Sequence, residues 1–421
     1  MKVFKFGGAS VKSAASIKNV VRVLKHEGFD NTIVVISAMG KITNAFEKVI
    51  DDYVQQSTTL NQSIDFIRDY HVQICSDLFQ KDHAVFREIE IIFGKLSGFL
   101  STNRSQNYDF IYDQIVKFGE LLSTKIVSSY LNHVAIPNTW LDVRTCIHTD
   151  NNFRDAKVDW ERTETNIRQQ VKSNLTITQG FIAGGGNNQT TTLGREGSDF
   201  TAAIFAFCLN AKNVTIWKDV DGVLNADPRC FKNTILLQKI SYKEAIEMSF
   251  YGASVIHPKT LKPLENKKIP LFVRSFEDLK NTGTIVLKGE AIVPETPCFI
   301  QKKHQYLVSI SAKDFSFMVE SNLSHIFKLL GDFKLKVNLI QNSALSFSVC
   351  IEDNYHQFDA FIKAIQQEYT VYYNSNITLY TIRHATSQAI DMIETKGQVL
   401  LKQATKQTVQ ILINPLETYK N

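Results

Sequence analysis

An arginine and an aspartate beside glycines form the part of the sequence best suited to chemistry. Arg195 and Asp199 stand in GREGSD, at the end of a loop with three successive glycines and three successive threonines. The β-like run LTIT (175–178) precedes this loop, and an apolar helical run follows it. Small residues let backbone N–H groups approach a ligand, and a helix N-terminus carries about half a positive charge. The stretch 180–209 therefore predicts a site that holds an anion, with a solvated loop as the alternative.

A second pattern of this kind opens the chain. Lys5 lies near the end of the strand-like run KVFKF (2–6), and the turn Gly7-Gly8 follows it. Ligands of α/β proteins bind where strands end, so the glycine amides are suited to phosphate oxygens and the lysine to their charge. The motif is too short for a Walker loop and lacks its GK[ST] ending. A lysine on a surface turn explains this motif equally well.

The elements that position these motifs predict an α/β domain. Ser13 is suited to cap a helix that Gly28 ends, and TIVVIS (32–37) resembles a strand covered on both faces. This βαβ order predicts a parallel sheet with a right-handed crossover. Residues 43–132 have an almost wholly helical pattern, with a long helix expected over 108–131. Further strands are expected at 134–136, 175–182, 214–217 and 271–274, alternating with helices near 161–173, 199–209 and 242–249.

The order of elements changes after Pro294 and Pro297. Segments from 306 to 373 predict β-α-β-β-α-β, the ferredoxin-like unit. A second copy begins at Ile377 and has no second helix in its pattern. The expected domains are 1–293, 299–375 and 376–421.

Composition excludes several classes of protein. The net charge of +5 is small and scattered over 421 residues, which argues against nucleic-acid binding. Six isolated cysteines without CxxC predict neither a zinc site nor a disulfide framework. No apolar run approaches the ~20 residues needed to span a bilayer, and no signal-peptide pattern opens the sequence. A cytoplasmic protein without membrane segments is expected.

Several motifs occur in the order typical of one enzyme family. They are KFGGAS (5–10), SAMGKITN (37–44), FGELLST (118–124), TQGFIAG (178–184), TTTLGREGSDFTAA (190–203), WKDVDGVLNADPR (217–229) and YGASVIHPKTL (251–261). In these motifs the chain resembles the aspartate kinases of the amino-acid kinase superfamily, and its C-terminal modules resemble ACT domains. The resemblance implies a three-layer α/β/α fold with a mostly parallel sheet, followed by ferredoxin-like α+β modules.

The resemblance implies ATP-dependent phosphorylation of the L-aspartate β-carboxylate, the first step toward lysine, threonine and methionine. Lys5 would contact the phosphates and Asp199 would organise it. Arg195 would hold the substrate α-carboxylate and Glu120 its amino group, in the room that small neighbours leave in the long helix. The other implied substrate-binding positions are Ser37, Thr43, Phe181, Thr192 and Ser198. The implied ATP-binding positions are Lys5, Phe6, Gly7, Gly8, Lys218, Asp219, Leu224, Asp227, Arg229, Ser254 and Val255.

The expected chemistry agrees with these residue types. A carboxylate nucleophile with a pKa of about 4 is ionised at neutral pH, so the reaction needs no general base. Phosphoryl transfer then depends on positioning and on neutralising oxygen charge, with Mg²⁺ expected on the ATP phosphates rather than in a metal site built by the protein. A structural role is expected for His257, and the forked donors of Arg195 suit a planar carboxylate.

Four positions depart from the family pattern, and two rival functions stay open. Ala9 replaces a usual Thr or Ser, Glu196 a common Gly, Leu224 a frequent aromatic residue, and Ser254 a frequent Lys.

One rival is a kinase of another small acid such as an N-acetylated glutamate, which Glu120 opposes because an acylated amine carries no charge. The other is an amino-acid sensor with a catalytically weak site.

Regulation by an amino acid is implied by the ACT-like modules. In the family, such modules form a dimer and bind an end product, usually lysine or threonine, so a homodimer is expected. The short second module implies either a missing effector site or elements supplied by a partner chain. The candidate effector positions, for which a plain strand turn is an equal alternative, are Asn338, Gln341, Asn342 and Ser343.

Overall fold

The chain forms two units in the computed structural model, which describes residues 1–172, 174–253, 256–289 and 292–415. The first unit consists of Met1–Val223, Leu236–Ser249 and the described part of 254–294. The second consists of Leu224–Ile235, Phe250–Ala253 and the described part of 295–421. The sequence pattern did not assign 224–235 and 250–253 to the second unit, and the predicted boundaries at 293, 299 and 376 stay predictions.

The first unit contains a mostly parallel sheet. Its strands are β1 (Lys2–Phe6), β2 (Thr32–Ile36), β3 (Thr139–Leu141), β4 (Leu175–Gln179), β5 (Ile182–Gly184), β6 (Thr190–Thr192), β7 (Val214–Lys218), β8 (Lys239–Ser241), β9 (Leu271–Ser275) and β10 (Thr284–Leu287). Eight of them pair in the order β3-β4-β2-β1-β7-β9-β10-β8, in which only β9 and β10 are antiparallel neighbours. Strands β5 and β6 form a separate antiparallel hairpin. The predicted α/β class is confirmed.

Helices cover this sheet. They are α1 (Ala14–Glu27), α2 (Ile42–Val54), α3 (Leu60–Leu78), α4 (Val85–Thr102), α5 (Tyr108–His133), α6 (Trp160–Gln170), α7 (Gly197–Leu209), α8 (Tyr242–Tyr251) and α9 (Pro258–Lys267). Every residue of β2 and β4 is buried, as expected for strands covered on both faces. Ser13 caps α1 by accepting a hydrogen bond from Ser16 N, and Gly28 ends it at a φ of 72°. Among the described residues, no helix is long and apolar enough to cross a membrane.

The strand expected at 134–136 is wrong. Val134 is the C-cap of α5, Ala135 has a φ of 60°, and the Ile136 amide donates to the carbonyl of Leu131. Ile136 is buried as part of this helix ending, so its apolar neighbours resembled a strand in sequence. The sheet strand is β3, a few residues later. The sequence pattern also missed α9, β8 and β10, which are short.

The second unit contains a six-stranded antiparallel sheet. Its strands are β11 (Cys298–Ala312), β12 (Lys336–Asn342), β13 (Ser346–Glu352), β14 (Tyr369–Arg383), β15 (Gly397–Ala404) and β16 (Thr408–Pro415). Its helices are α10 (Glu320–Asp332), α11 (Phe358–Ile365) and α12 (Ser387–Glu394). The sheet order is β12-β13-β11-β14-β16-β15. Read from either end, this order gives the same ferredoxin-like arrangement of four strands. The sequence predicted one such unit and a second, incomplete copy.

The two modules of this sheet share their central strands. The second half of β11 pairs with the first half of β14, and Cys298–Lys302 pairs with Leu379–Arg383 at the other end of the same two strands. The register shifts between Lys302 and Gln305, where His304 has a φ of 55°. Cys298–Lys302 thus supplies the fourth strand of the second module, so that strand comes from this chain and lies outside the segment 376–421 in which we placed the module.

Candidate active site

The carboxyl ends of four neighbouring parallel strands meet at one edge of the sheet. Phe6 of β1 lies beside Ile36 of β2 and Trp217 of β7, and Ile36 lies beside Gln179 of β4. Residues that directly follow these strand ends must therefore come together, although they are distant in sequence. They surround a cavity of about 490 Å³.

Every predicted catalytic and substrate-binding residue lines this cavity. Strand ends and the loops after them contribute most of these side chains, α5 contributes Glu120, and α7 contributes its first turn. The residues are Lys5, Ser37, Thr43, Glu120, Phe181, Thr192, Arg195, Ser198 and Asp199. Their chemical roles stay proposals, but the fold brings all of them to one place.

Lys5 and Asp199 form a buried ion pair in this cavity. Lys5 Nζ lies 2.6 Å from Asp199 Oδ1, and the two residues are 9% and 3% exposed. Asp199 stands in the first turn of α7, where the helix dipole favours a negative charge. Because Asp199 is paired, it is suited to hold the ammonium in position rather than to accept a proton from a substrate.

The turn after β1 is packed too closely for a side chain. A Cβ on Gly8 would lie 2.7 Å from the carbonyl oxygen of Gly40 and 2.8 Å from that of Ala38. Gly40 N also donates to Gly8 O at 3.0 Å, which joins the turns after β1 and β2. Phe6 is fully buried and stacks on Trp217, so its side chain is not available to a ligand. Gly7 and Phe6 are not among the residues that line the cavity, whereas Gly8 is.

Glu120 is a buried carboxylate at the base of the cavity. Ala38 N donates to its Oε1 at 3.4 Å, and Oε2 has no hydrogen-bond partner among the described residues. Burial raises the pKa of Glu120 to about 8. A carboxylate with an unsatisfied oxygen that faces a cavity is suited to bind an ammonium group, which would restore its ionised form.

Ser37 is held by the same helix. Ser123 Oγ donates to the carbonyl oxygen of Ser37 at 2.7 Å, and Ser37 N donates to the carbonyl oxygen of Phe6 at 3.1 Å. Ser123 therefore fixes the end of β2 against α5. From the sequence we expected this small residue only to leave room around Glu120.

Asp113 organises one wall of the cavity, and the sequence did not predict it. Its Oδ1 accepts from Thr192 Oγ1 at 2.8 Å, while its Oδ2 accepts from Thr192 N at 2.9 Å and from Arg154 N at 3.0 Å. Burial raises the pKa of Asp113 to about 6. The guanidinium of Arg154 lies 4.3 Å from the ring centroid of Tyr112, and both side chains line the cavity. No spacing in the sequence links these residues, so no local pattern could have identified them.

Glu196 connects the loop that carries Arg195 to helix α9. It has a φ of 54° immediately before α7, and its Oε2 accepts from His257 N at 2.9 Å. His257 is the N-cap of α9 and accepts from Lys259 N through Nδ1, which agrees with the structural role expected for it. Arg195 itself is exposed at the cavity mouth. The carboxylate of Glu196, next to Arg195 in the sequence, thus accepts a hydrogen bond from the backbone amide of His257.

The predicted nucleotide-binding residues belong partly to the first unit and partly to the second. Lys218 lines the cavity, and Asp219 is exposed next to it. Leu224, Asp227 and Arg229 belong to the second unit, where Arg229 NH2 lies 2.6 Å from Asp227 Oδ2. This contact lowers the pKa of Asp227. Ser254 and Val255 lie outside the described residues.

The predicted effector residues lie on or beside β12 in the second unit. Asn338 accepts from Lys302 Nζ and donates to Gln305 Oε1, both at 2.7 Å. Ser343 closes the turn to β13 by accepting from Ser346 N at 3.1 Å. Gln341 and Asn342 are exposed.

Comparison with known proteins places this geometry in a family. The model of the amino acid kinase family matches residues 1–275, which carry all the cavity residues. The chain belongs to the amino acid kinase family. This amino acid kinase is 32% identical over 399 residues to the bifunctional aspartokinase/homoserine dehydrogenase of Buchnera aphidicola, covering 87% of the chain and 47% of that relative. It is 30% identical over 356 residues to the lysine-sensitive aspartokinase 3 of Escherichia coli, covering 83% and 78%.

The amino acid kinase also resembles solved aspartokinase structures. Its TM-score to E. coli aspartokinase III in complex with lysine and aspartate is 0.80, at 25% identity, covering 99% of this chain and 96% of that one. The score is also 0.80 for the same enzyme in complex with aspartate and ADP, covering 98% and 96%. The chain spans about half the length of the bifunctional relatives, so their whole activity is not attributed to it.

Proposed function

We propose that the protein is an aspartate kinase, which transfers the terminal phosphoryl group of ATP to the β-carboxylate of L-aspartate. One observation carries the proposal. The cavity combines a buried Lys5–Asp199 pair, suited to phosphate, with a buried Glu120 and an exposed Arg195, suited to an amine and a carboxylate. The likeness to aspartokinases, one of them solved with aspartate and ADP, supports the same reaction.

The substrate is oriented by two opposite charges. Arg195 binds the α-carboxylate through its forked donors, and Glu120 binds the α-ammonium. The β-carboxylate then points toward Lys5. This carboxylate is already ionised, because the ordinary pKa of an aspartate side chain is about 4. One of its oxygens attacks the terminal phosphorus, the bond to the bridging oxygen breaks, and ADP leaves with that electron pair.

The protein stabilises charge during this transfer and moves no proton. Lys5, held by Asp199, neutralises charge on the phosphate oxygens, and the amides of the tightly packed Gly7-Gly8 turn donate to them. The described residues contain no group of three or more His, Cys, Asp or Glu suited to hold a metal ion. We propose that Mg²⁺ is held chiefly by the ATP phosphates, where it would neutralise part of their charge.

Hydroxamate formation with a panel of acids tests the proposal. The expected product is aspartyl hydroxamate, formed only with ATP and L-aspartate, with far less product from L-glutamate or N-acetyl-L-glutamate. Product from an acylated acid at a comparable rate would establish the rival kinase, since Glu120 has no role toward an acylated amine. ATP binding without product from any acid would instead favour the sensor.

Regulation is a further part of the proposal. The ferredoxin-like modules are proposed as ACT domains that form a homodimer and bind lysine or threonine near Asn338, Gln341, Asn342 and Ser343. The name of the E. coli relative as lysine-sensitive supports lysine as the first effector to test. Titration of activity with lysine, threonine and methionine distinguishes these effectors. Analytical ultracentrifugation tests the dimer.

A further inference from the structure

A second cavity of the first unit lies away from the active-site residues. It measures about 500 Å³ and is lined by residues of α4, α5 and the segment 140–144. This volume is typical of sites for small molecules. Its apolar lining includes Ile92, Phe99, Phe118, Leu121 and Trp140. Its charged lining consists of four cations, Lys95, Lys117, Lys125 and Arg144, and the two carboxylates of Glu88 and Asp142.

Two of the four cations already have carboxylate partners. Arg144 forms a bidentate pair with Asp142, with NE–Oδ1 at 2.8 Å and NH2–Oδ2 at 2.5 Å. The ammonium of Lys125 lies 3.9 Å from the ring centroid of Trp140 and 3.9 Å from Glu88 Oε1. These contacts hold the cavity walls in place and leave two cations for a ligand.

Lys117 is the cation whose contacts indicate a ligand. Its ammonium donates to the neutral Gln114 Oε1 at 3.1 Å, and no carboxylate of the described residues forms an ion pair with it. Burial, followed by the nearby charge of Arg144, lowers the pKa of Lys117 to about 8. The side chain, which is half-buried and also attracted by Asp142 and Asp113, stays mostly protonated at pH 7, so a partly desolvated positive charge lies at the wall of the cavity. Lys95, which is exposed, belongs to the lining of the same cavity.

We propose that this cavity is a second ligand site, which takes a small monoanion with an aromatic or branched apolar body. The anionic group pairs with Lys117 and Lys95, and the body packs against Phe99, Leu121 and Trp140. Such a ligand satisfies the desolvated charge and covers apolar surface at the same time, which neither an inorganic anion nor an uncharged apolar molecule does.

Hydrogen bonds connect this site to the active-site cavity. Gln114 Oε1, which accepts from Lys117, also accepts from Thr190 N at 3.2 Å, and Gln114 Nε2 donates to Thr190 O at 2.7 Å. Arg144 NH1 lies 3.4 Å from Thr190 Oγ1. Thr190 begins β6, and Thr192 at its end lines the active-site cavity. A ligand that draws Lys117 away from Gln114 therefore acts on the strand that carries Thr192.

Calorimetry with 3-phenylpropanoate tests the site without any turnover. The full chain at pH 7 is expected to bind this acid with a Kd of about 1 mM or lower and to bind 3-phenylpropanamide at least about tenfold more weakly. Lys117→Met is expected to weaken binding of the acid about tenfold. Lys81→Met, at an exposed position outside the cavity, is the matched control and is expected to bind normally. Lys95→Met changes an exposed residue, and a smaller loss of affinity is expected.

Each outcome decides one part of the inference. Equal affinity for the acid and the amide, or unchanged affinity in both Lys117→Met and Lys95→Met, would overturn the anion site. The connection is tested by the affinity for L-aspartate, expected to change about fivefold when 3-phenylpropanoate is present. Unchanged aspartate affinity overturns the connection alone. This part rests on the proposed function, and failure to bind aspartate at all would refute that function rather than the second site.

Discussion

The ammonium of Lys5 lies 2.6 Å from the carboxylate of Asp199, and both side chains are buried. Lys5 comes from the first strand and Asp199 from the first turn of α7, so the pair joins the two glycine-rich motifs of the chain. A buried charge is costly without its partner, so each residue constrains the position of the other.

Asp199→Asn is expected to lower kcat for aspartyl hydroxamate formation about 10²–10³-fold, because Lys5 loses the charge that positions it. The KM for aspartate is expected to change little, since Arg195 and Glu120 are intact. Asp155→Asn is a matched control that breaks only the surface pair with Lys259. Circular dichroism checks folding, and the double variant Lys5→Met with Asp199→Asn removes both charges. A kcat close to that of the parent in folded Asp199→Asn would contradict the role of Asp199.

The raised pKa of Glu120 predicts the pH dependence of substrate binding. Its carboxylate must be ionised to hold the substrate ammonium, so the KM for aspartate is expected to fall as pH rises through about 8. Glu120→Gln is expected to raise the KM about 10–100-fold and to abolish this dependence. Glu90→Gln, on an exposed part of α4, is the control. Identical pH profiles of the KM in parent and Glu120→Gln would exclude the assigned contact.

Glu120 also predicts how stability depends on pH. Its folded pKa lies above the ordinary value of 4.5, so its contribution to stability is fully present below about 4.5 and is lost as pH rises through about 8. Glutamine does not ionise, so Glu120→Gln is expected to gain thermal stability relative to the parent as pH rises from about 6 to about 9. Melting temperatures measured across this range check the sign, and a relative loss at high pH would be inconsistent with a buried carboxyl.

Comparison of Glu196→Ala with Glu196→Gln distinguishes the effect of the Glu196 hydrogen bond from the effect of its negative charge. Alanine leaves His257 N without its side-chain acceptor, so a destabilisation of about 1 kcal/mol is expected, seen as a melting temperature lower by about 2 °C. Glutamine retains an acceptor and removes the charge beside Arg195, so unchanged stability and a lower KM for aspartate are expected. Equal melting temperatures for the two variants would show that the contact with His257 does not stabilise the loop.

Gly8→Ala tests the turn after β1. The added methyl group would lie 2.7 Å and 2.8 Å from two backbone carbonyl oxygens, so the turn must shift. A displacement near the phosphates is expected to lower kcat/KM for ATP at least about tenfold. Gly94→Ala is the matched control, because nothing lies within 4 Å of its added Cβ, and a helical alanine is expected to be neutral or slightly stabilising. Equal kcat/KM in the two variants would argue against a phosphate-binding turn.

The sequence alone predicted the parts of the molecule that short-range patterns specify. The apolar run at 32–37 became the buried strand β2, Ser13 and Gly28 became the caps of α1, and the β-α-β-β-α-β order became the sheet of the second unit. These features depend on periodicity, caps and turns within a few residues. The ordered motifs also predicted many of the residues that line the cavity, because most motifs contain a strand end or a helix start, whereas FGELLST lies within α5.

Only the tertiary structure decided which distant groups meet. Asp113 with Thr192 and Arg154, Glu196 with the amide of His257, and Lys117 with Gln114 have no sequence spacing that predicts them. The same holds for Cys298–Lys302, whose place in the second module follows from pairing with Leu379–Arg383. Hydrogen bonds and strand pairing depend on distance in space, and the packing of helices on the sheet sets that distance. The raised pKa of Glu120 has the same origin, since burial by residues from other elements removes its solvent.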